Sequence, residues 1–229
     1  MKKSETSVTV TSPTATSATT KSATTTSLTT TSYALLGLLN IRAWTTYELA
    51  KQVQRSLGWF WPRAERKLYD EPKRLVAQGL ATATSDSTGK RPRTVYAITP
   101  HGRQALAGWL DDAPAPPTLE FEAMVKVFFA DGGTLAQLEK TLDRIERDAS
   151  DRRHVLRGMI AERSNEGAYE FAGRWPINAL TLRFQLDHNE QQVRWARWAR
   201  EQVATWRSPT DAAGWDWAAA LSDRQSPGA

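Results

Sequence analysis

Cations, rather than nucleophiles or metal ligands, are the side chains of this sequence whose type and spacing could do chemistry. A segment that opens at Pro62 has the apolar spacing of a helix, and its outward face carries Arg63, Arg66, Lys67, Lys73 and Arg74. A second set lies in the turn between two alternating stretches, 81–85 and 94–98: Lys90, Arg91 and Arg93. Such groups can reach guanine edges and phosphates in a DNA major groove or on the adjoining backbone. The coincidence of a basic helix and a basic hairpin favours DNA contact over a merely solvated charged face.

The helix before this segment is predicted to begin at Thr45 or Thr46, with Glu48 close to the capping-box position. The free N–H groups of a first helical turn bind anions, and hydroxyl groups add further donors. Thr45, Thr46 and Tyr47 are therefore predicted to contact a DNA phosphate.

Pro72 interrupts the basic helix. Its missing N–H removes a bond to the Leu68 carbonyl, and it disfavours helical geometry at Glu71. In a regular helix interior the cost is about 3 kcal/mol. Because Leu75 and Val76 still need burial, we expect a kink near Glu71 with the helix continuing beyond it.

Other chemistry has little support in the sequence. There is no cysteine, and His101, His154 and His188 lack the spacing of metal ligands. Neither a glycine-rich phosphate loop nor a nucleophile motif occurs. We therefore predict neither an enzyme nor a cofactor or metal site.

The charge is distributed unevenly along the chain. Residues 33–110 carry 12 Lys or Arg against 5 Asp or Glu, whereas residues 111–229 carry 15 against 19. This asymmetry predicts that one half meets a polyanion and the other does not. The lack of a long apolar run, of a signal-peptide core and of cysteine fits a cytoplasmic protein that contacts no membrane.

Changes in composition and helix-breaking residues divide the chain into five predicted parts. In order they are a disordered Ser/Thr-rich tail (1–32), a DNA-binding domain (33–111), a proline-rich linker (112–118), a helical domain (119–207) and a loosely ordered tail (208–229).

Cap residues and apolar periodicity predict the remaining elements. Gly79 is expected to end the basic helix and lead into the first wing strand, and Thr99-Pro100 to begin the next helix, whose packing face includes Leu110. Ser32 is expected to cap the first helix, and Trp59, Phe60 and Trp61 to fill the core rather than form a lip on the domain. In the second half we expect helices at 119–130, from a Thr134 cap to about Gly173, and at about 177–206.

The ten tryptophans support two interpretations. Trp175, Trp195 and Trp198 could line an aromatic pocket at a dimer interface that stacks planar or cationic compounds. Their helical spacing is equally typical of residues that only pack the core.

Several short stretches of this sequence resemble the PadR family of bacterial transcriptional regulators. They are Tyr33–Leu39, Thr46–Leu49, Lys67–Glu71, Lys73–Leu75, Gly79-Leu80 and Thr94–Arg103, followed less specifically by Leu119–Thr134. The resemblance implies a homodimeric repressor whose C-terminal helices exchange across the dimer axis. It also implies that Tyr69 lies on the recognition helix, and that small molecules such as phenolic acids or hydrophobic drugs release some members from DNA.

Together these observations predict a mainly α fold with a small β-wing. An N-terminal winged helix-turn-helix would precede a C-terminal α-helical dimerisation domain. The predicted function is a ligand-responsive dimeric repressor that binds double-stranded operator DNA and responds to a small aromatic effector. The alternative is a protein-interaction adaptor that uses the winged helix for docking, and the basic wing speaks against it.

Overall fold

The computed structural model describes residues 27–62, 68–86, 93–165 and 172–222. The chain divides between Ala113 and Pro114 into two compact units. The division lies in a stretch, 113–121, that contains neither helix nor strand and overlaps the proline-rich segment.

The first unit combines helices with one small antiparallel sheet. Its described elements are α1 (Thr30–Ile41), β1 (Trp44–Thr45), α2 (Thr46–Arg55), α3 (Glu71–Ala77), β2 (Ala81–Asp86), β3 (Arg93–Ile98) and α4 (Pro100–Asp111). Strand β3 is central and pairs with β1 on one edge and β2 on the other. The two predicted wing strands are confirmed to within one residue.

The core of the first unit lies between α1, α2, α3 and the sheet. Its apolar residues are at most 9% exposed: Leu35, Leu36, Leu38, Leu39, Trp44, Leu49, Val53, Leu68, Leu75, Leu80, Ala81, Tyr96 and Ile98. The indole of Trp44 donates to the Leu38 carbonyl over 2.7 Å, which satisfies the one polar atom that this ring brings into the core.

The end of α3 is set by Gly79, which has φ +71°. The Leu80 amide donates to the Leu75 carbonyl and the Gly79 amide to the Val76 carbonyl, so the helix ends in a Schellman motif. This turn sends the chain directly into β2, as the sequence predicted.

The predicted Thr99-Pro100 start of α4 is confirmed. The Thr99 hydroxyl accepts from the Gly102 amide over 3.0 Å and donates to the Gly79 carbonyl over 2.7 Å. Helix α4 is thereby tied to the turn that ends α3. Leu110, predicted to pack, is instead exposed near the end of α4.

The second unit is built on a long helical hairpin. Its described helices are α5 (Glu122–Phe128), α6 (Leu135–Asn165), α7 (Trp175–Val203) and α8 (Trp217–Leu221). Ion pairs join Glu146 to Arg197 (2.6 Å) and Arg153 to Glu190 (2.6 Å), so α6 and α7 run antiparallel. Their seam buries Leu138, Leu142, Ile145, Ala149 and Leu156 of α6 against Val193, Ala196, Ala199 and Val203 of α7.

One predicted helix start and one predicted kink are wrong. Helix α1 begins three residues earlier than predicted, because Thr29 rather than Ser32 is its N-cap, with Ser32 as the reciprocal partner in a capping box. Helix α3 begins at Glu71 after a turn at 68–70, so Pro72 occupies the first helical turn rather than an interior position. The kink predicted near Glu71 is therefore absent from α3. A proline in the first turn lacks only an N–H group that would have no partner within the helix.

Further differences concern aromatic residues and helix ends. Phe60 is exposed and Trp59 and Trp61 are half-buried, so these three are not core fillers. The helix from Thr134 does not reach Gly173, because residues 172–174 form a separate 3-10 turn before α7. Among the described residues, no helix has the length and apolar character needed to cross a membrane.

Candidate nucleic-acid interface

The start of α2 presents backbone donors on a firmly capped turn. The Thr45 hydroxyl accepts from the Glu48 amide (3.2 Å), while the Thr45 amide and hydroxyl each donate to the Glu48 carboxylate (2.8 Å). This is the predicted capping box, and Thr45 is confirmed as the cap. Tyr47, in the first turn, is 76% exposed. A large, rigid side chain with a hydroxyl tip therefore projects from the N-terminus of a ten-residue helix.

The Glu48 carboxylate holds this turn together electrostatically. The Thr45 amide and hydroxyl, and then the guanidinium of Arg42 at 3.2 Å, hold the pKa of Glu48 below its ordinary value against the opposing effect of burial. Arg42 in turn lies over the Trp44 ring, 3.6 Å from its centroid. The first turn of α2 is thus held by β1, which it follows directly, and by the ion pair between Arg42 and Glu48.

The turn before α3 exposes Tyr69, and the first turn of α3 exposes Lys73. Tyr69 is 68% exposed in the turn that precedes the helix, and the Lys73 side chain is 70% exposed. Within the described part of the chain, Lys73 approaches the exposed Asp70 carboxylate alone, at 3.9 Å, and an exposed pair of this kind contributes little. Most of the surface of both side chains is therefore accessible to a ligand. The predicted contacts Arg63, Arg66 and Lys67 lie outside the described residues.

Arg74 is placed differently from the other predicted DNA contacts. Its Nη2 atom lies 3.2 Å from Glu71 Oε1, 3.1 Å from Ser32 Oγ and 3.3 Å from the Ser27 carbonyl oxygen. The Ser32 hydroxyl itself donates to Glu71 over 2.5 Å. Arg74 therefore ties α3 to the start of α1, and its donors point into the domain.

This Ser32–Glu71–Arg74 cluster was missed by the sequence reasoning. Glu71 is only 3% exposed and Ser32 is fully buried, which is rare for such residues without partners. The Thr29-x-x-Ser32 spacing of a capping box could have indicated that Ser32 is buried at the start of α1. This spacing lies at the edge of a Ser/Thr-rich tract, in which many pairs of residues have the same spacing.

The wing strands carry the remaining predicted contacts. Arg93 is exposed at the first position of β3, opposite Asp86 of β2. Lys90 and Arg91, at the tip between the strands, lie outside the described residues. The described part of the chain holds no cluster of three or more His, Cys, Asp or Glu that could bind a metal.

Of the three tryptophans predicted to line a pocket, all of which lie in the second unit, two share a cavity and the third does not. Trp195 and Trp198, on one face of α7, line a cavity of about 550 Å³. Trp175 does not line it, because it is the first residue of α7, and 20 residues of helix separate two positions by about 30 Å. Two tryptophans that were not predicted, Trp206 and Trp215, complete the wall.

A helix pair followed by an antiparallel wing defines the first unit as a winged helix-turn-helix, the class that places a helix in a DNA groove. Residues 35–108 match the Transcriptional regulator PadR-like family, and residues 121–204 match the Virulence activator alpha C-term family. The chain therefore carries a domain of the PadR-like transcriptional regulator family, as the sequence resemblance predicted.

Individual relatives agree with this assignment. The Negative transcriptional regulator PadR of Bacillus subtilis (strain 168) is 33% identical over 99 residues, which are 42% of this chain and 54% of the relative. The chain spans about half the length of the curated relatives it matches.

Two solved structures share the fold. The Bacillus subtilis PadR structure in complex with operator DNA has a TM-score of 0.64 and 24% identity, covering 75% of this chain and 98% of that one. The structure of the same protein with p-coumaric acid has a TM-score of 0.59 and 22% identity, covering 76% and 94%. At these identities the likeness establishes the fold alone.

Proposed function

We propose that this protein is a sequence-specific, DNA-binding transcriptional regulator that acts as a homodimeric repressor of the PadR type. One observation carries the proposal: a winged helix-turn-helix with a mostly apolar core leaves the large side chains of Tyr47, Tyr69 and Lys73 exposed. Most of the surface of these three side chains is therefore available to a partner. A relative named as a negative transcriptional regulator and a solved complex with operator DNA support the same function.

In the proposed complex, three parts of the first unit meet the duplex. The segment around α3 lies in the major groove and offers Tyr69 and Lys73 together with Arg63, Arg66 and Lys67. The start of α2, at Thr45, Thr46 and Tyr47, binds a backbone phosphate. The wing, with Lys90, Arg91 and Arg93, lies on the adjoining backbone or minor groove. Arg74 contributes indirectly, by fixing α3 against α1.

Dimerisation is proposed from the exposed apolar surface of the second unit. The first half of α7 exposes Ile177, Leu180 and Phe184 at steps of three and four, which form a stripe along one face. The segment around α5 exposes Leu119, Val125, Phe128 and Phe129. Apolar surface of this extent is typical of a protein interface. A second copy bound to these faces would give a dimer with two winged helix-turn-helix domains. Such a dimer would bind a pseudo-palindromic operator whose half-sites lie about 34–36 Å apart or a multiple of this.

We further propose that a small aromatic effector controls the repressor, as the solved complex with p-coumaric acid suggests. The effector changes the spacing or angle of the two winged helix-turn-helix domains of the dimer. The resulting change in DNA affinity cannot exceed the difference between the effector's affinities for the DNA-binding and the non-binding state. Action on a bacterial operator would place the protein in the cytoplasm.

A gel shift and footprint on the DNA upstream of its own coding sequence test the DNA-binding proposal. Tyr69→Ala and Lys73→Ala should weaken binding, each by about 1–3 kcal/mol if the side chain reads a base edge. A residue that contacts only phosphate should instead lower the salt slope by about 1. Arg66→Ala and Lys67→Ala are expected to behave in the same way.

The matched control is Lys126→Ala, an exposed lysine of the second unit whose ion-pair partner among the described residues is the exposed Glu122, four residues away. It should leave DNA binding unchanged. If Tyr69→Ala, Lys73→Ala, Arg66→Ala and Lys67→Ala all bind like the parent, the proposed reading surface is wrong. Absence of any bound DNA, with protein partners retained, would favour the adaptor.

A separate measurement tests the dimer. Leu180→Glu introduces a charge into the exposed stripe of α7 and should convert the sedimenting species from dimer to monomer, while Arg183→Glu, an exposed position beside it, should not. A parent protein that sediments as a monomer at micromolar concentration would refute dimerisation.

A further inference from the structure

The segment after α7 forms the wall of a cavity that the family match does not include. The match ends at residue 204, whereas Trp206, Pro209 and Trp215 of the following segment all line the cavity. Its opposite wall consists of Trp195 and Trp198 of α7 together with Phe128 and Phe129. Four tryptophan rings therefore surround one space of about 550 Å³, within the range of pockets that hold drug-sized molecules.

Several contacts fix this wall in place. The Arg207 amide donates to the Asp211 carbonyl over 2.8 Å, and a side-chain ion pair at 3.6 Å joins the same two residues. The following Ala213 and Gly214 both have positive φ, +49° and +78°, and reverse the chain. Positive φ at an alanine costs about 1–2 kcal/mol, so the surrounding contacts must hold it.

The reversal returns Trp215 to α7. The Trp215 indole N–H donates to the Gln202 side-chain oxygen over 2.9 Å, and its ring centroid lies 5.3 Å from that of Trp206. Residues 208–216, predicted to be loose, are thus ordered by this turn. The aromatic wall exists before any ligand arrives, which lowers the entropic cost of binding.

The charge at the cavity determines which ligands it can accept. Of the described residues that line it, Asp131 is the sole ionisable one, and it is exposed to solvent. Tryptophan faces attract cations through their ring quadrupoles, and a carboxylate at the rim adds to that attraction. The same carboxylate repels an anionic ligand, and neither a lysine nor an arginine lines the described cavity to balance it.

We infer that this cavity binds planar aromatic cations in preference to aromatic carboxylates. The inference deepens the proposed function, because it gives the chemical class and the location of the effector, and only its regulatory meaning rests on that function. It also separates this chain from a regulator that recognises a phenolic acid, since the groups at the cavity have the wrong charge for such a ligand.

Isothermal titration of the full chain without DNA tests the inference with three probes that share a bicyclic aromatic ring system: 1-methylquinolinium, quinoline and 2-naphthoate. The cation should bind at least about ten-fold more tightly than the carboxylate, with the neutral compound between them. Equal or tighter binding of 2-naphthoate would overturn the proposed ligand class.

Two pairs of variants locate the binding. Asp131→Asn, at an exposed position, should weaken the cation by about three- to five-fold, whereas Asp151→Asn on the exposed side of α6 should not change its affinity. Trp215→Leu should weaken it by about ten-fold, whereas Trp217→Leu, exposed in the same segment, should not. Equal effects within both pairs, or no binding of any probe, would overturn the site.

The two proposals fail separately. Cation binding that persists in a protein that does not shift DNA would refute the regulator and leave the site intact. Operator binding by a protein that binds no probe would refute the site alone. If both hold, 1-methylquinolinium should weaken the gel shift of the parent and lose that effect in Trp215→Leu.

Discussion

The two units treat their large apolar side chains differently. Among the described residues of the first unit, only four such side chains are exposed, and two of them, Tyr47 and Tyr69, lie on the proposed DNA surface. Among its described residues the second unit exposes eleven, several of them in rows along α5 and α7. Its two long helices bury only one narrow seam against each other. The difference indicates that the first unit completes its own core, while the second leaves apolar surface for a partner.

The largest expected effect comes from the closed core of the first unit. Leu49→Ala removes a side chain with 0% exposure and should lower the free energy of unfolding by about 2–5 kcal/mol. Leu180→Ala, at 69% exposure on α7, should change it by less than about 0.5 kcal/mol in dilute protein.

Urea denaturation followed by circular dichroism checks this pair. It should be repeated over a range of protein concentrations, because loss of a dimer contact appears as a weaker concentration dependence of stability. A large loss at Leu180 in dilute protein would mean that α7 already packs within one chain, and the contrast between the units would disappear.

Glycine substitutions in α4 probe how tightly the first unit is packed. A Cβ on Gly102 would lie 2.1 Å from the Leu80 carbonyl oxygen, whereas nothing lies within 4 Å of one on Gly108. Gly102→Ala should therefore destabilise the fold by about 1–3 kcal/mol, and Gly108→Ala should stabilise it by about 0.4–1 kcal/mol. Thermal melts of both variants test this pair, and equal melting temperatures would contradict the close approach of α4 to the Leu80 carbonyl.

The cap of α2 should give a smaller effect. Thr45→Ala loses the hydroxyl that accepts from the Glu48 amide and should cost about 1 kcal/mol, whereas Thr46→Ala should cost less than about 0.5 kcal/mol. Because the pKa of Glu48 is lowered in the folded state, its stabilising contribution is present above about pH 4.3 and is lost as the pH falls further. Stability measured from pH 6 to pH 3 should therefore fall less steeply in Thr45→Ala than in Thr46→Ala.

The smallest effect is expected from the ion pairs beside the helical seam. The guanidinium of Arg197, and then that of Arg200, lower the pKa of Glu146. Its contribution to stability is likewise present above about pH 4.3 and lost on acidification. Glu146→Gln should cost about 0.5–1 kcal/mol at pH 7 and almost nothing at pH 3, and the exposed Glu162→Gln serves as the control. A pH-independent loss would show that the contact acts through packing rather than charge.

Much of the first unit could be predicted because its signals are local. Thr45-x-x-Glu48, Thr99-Pro100 and Gly79 each act through hydrogen bonds or dihedral angles within a few residues, and each lies where the sequence indicated. Pro72 was misjudged, because its cost depends on where the helix begins, and the alternative cap Asp70 is visible only in the structure.

The second unit was harder to predict, because apolar periodicity does not say what covers a face. The spacing of Leu180 and Phe184 matches that of buried seam residues such as Val193 and Ala196, yet the former are exposed. The position of Trp215 depends on a turn that brings it back to Gln202, thirteen residues earlier, and on its contact with Trp206. Neither contact has a signal in the spacing of residues along a helix.

Thr45 belongs to two elements at once. It is the last residue of β1, paired with Val95 of the wing, and it is also the N-cap of α2. No linker separates the sheet from the helix, so a displacement of the wing strands also displaces the start of α2. Contacts made by the wing and by the start of α2 should therefore bind cooperatively, and their effects on affinity should not add when both are removed.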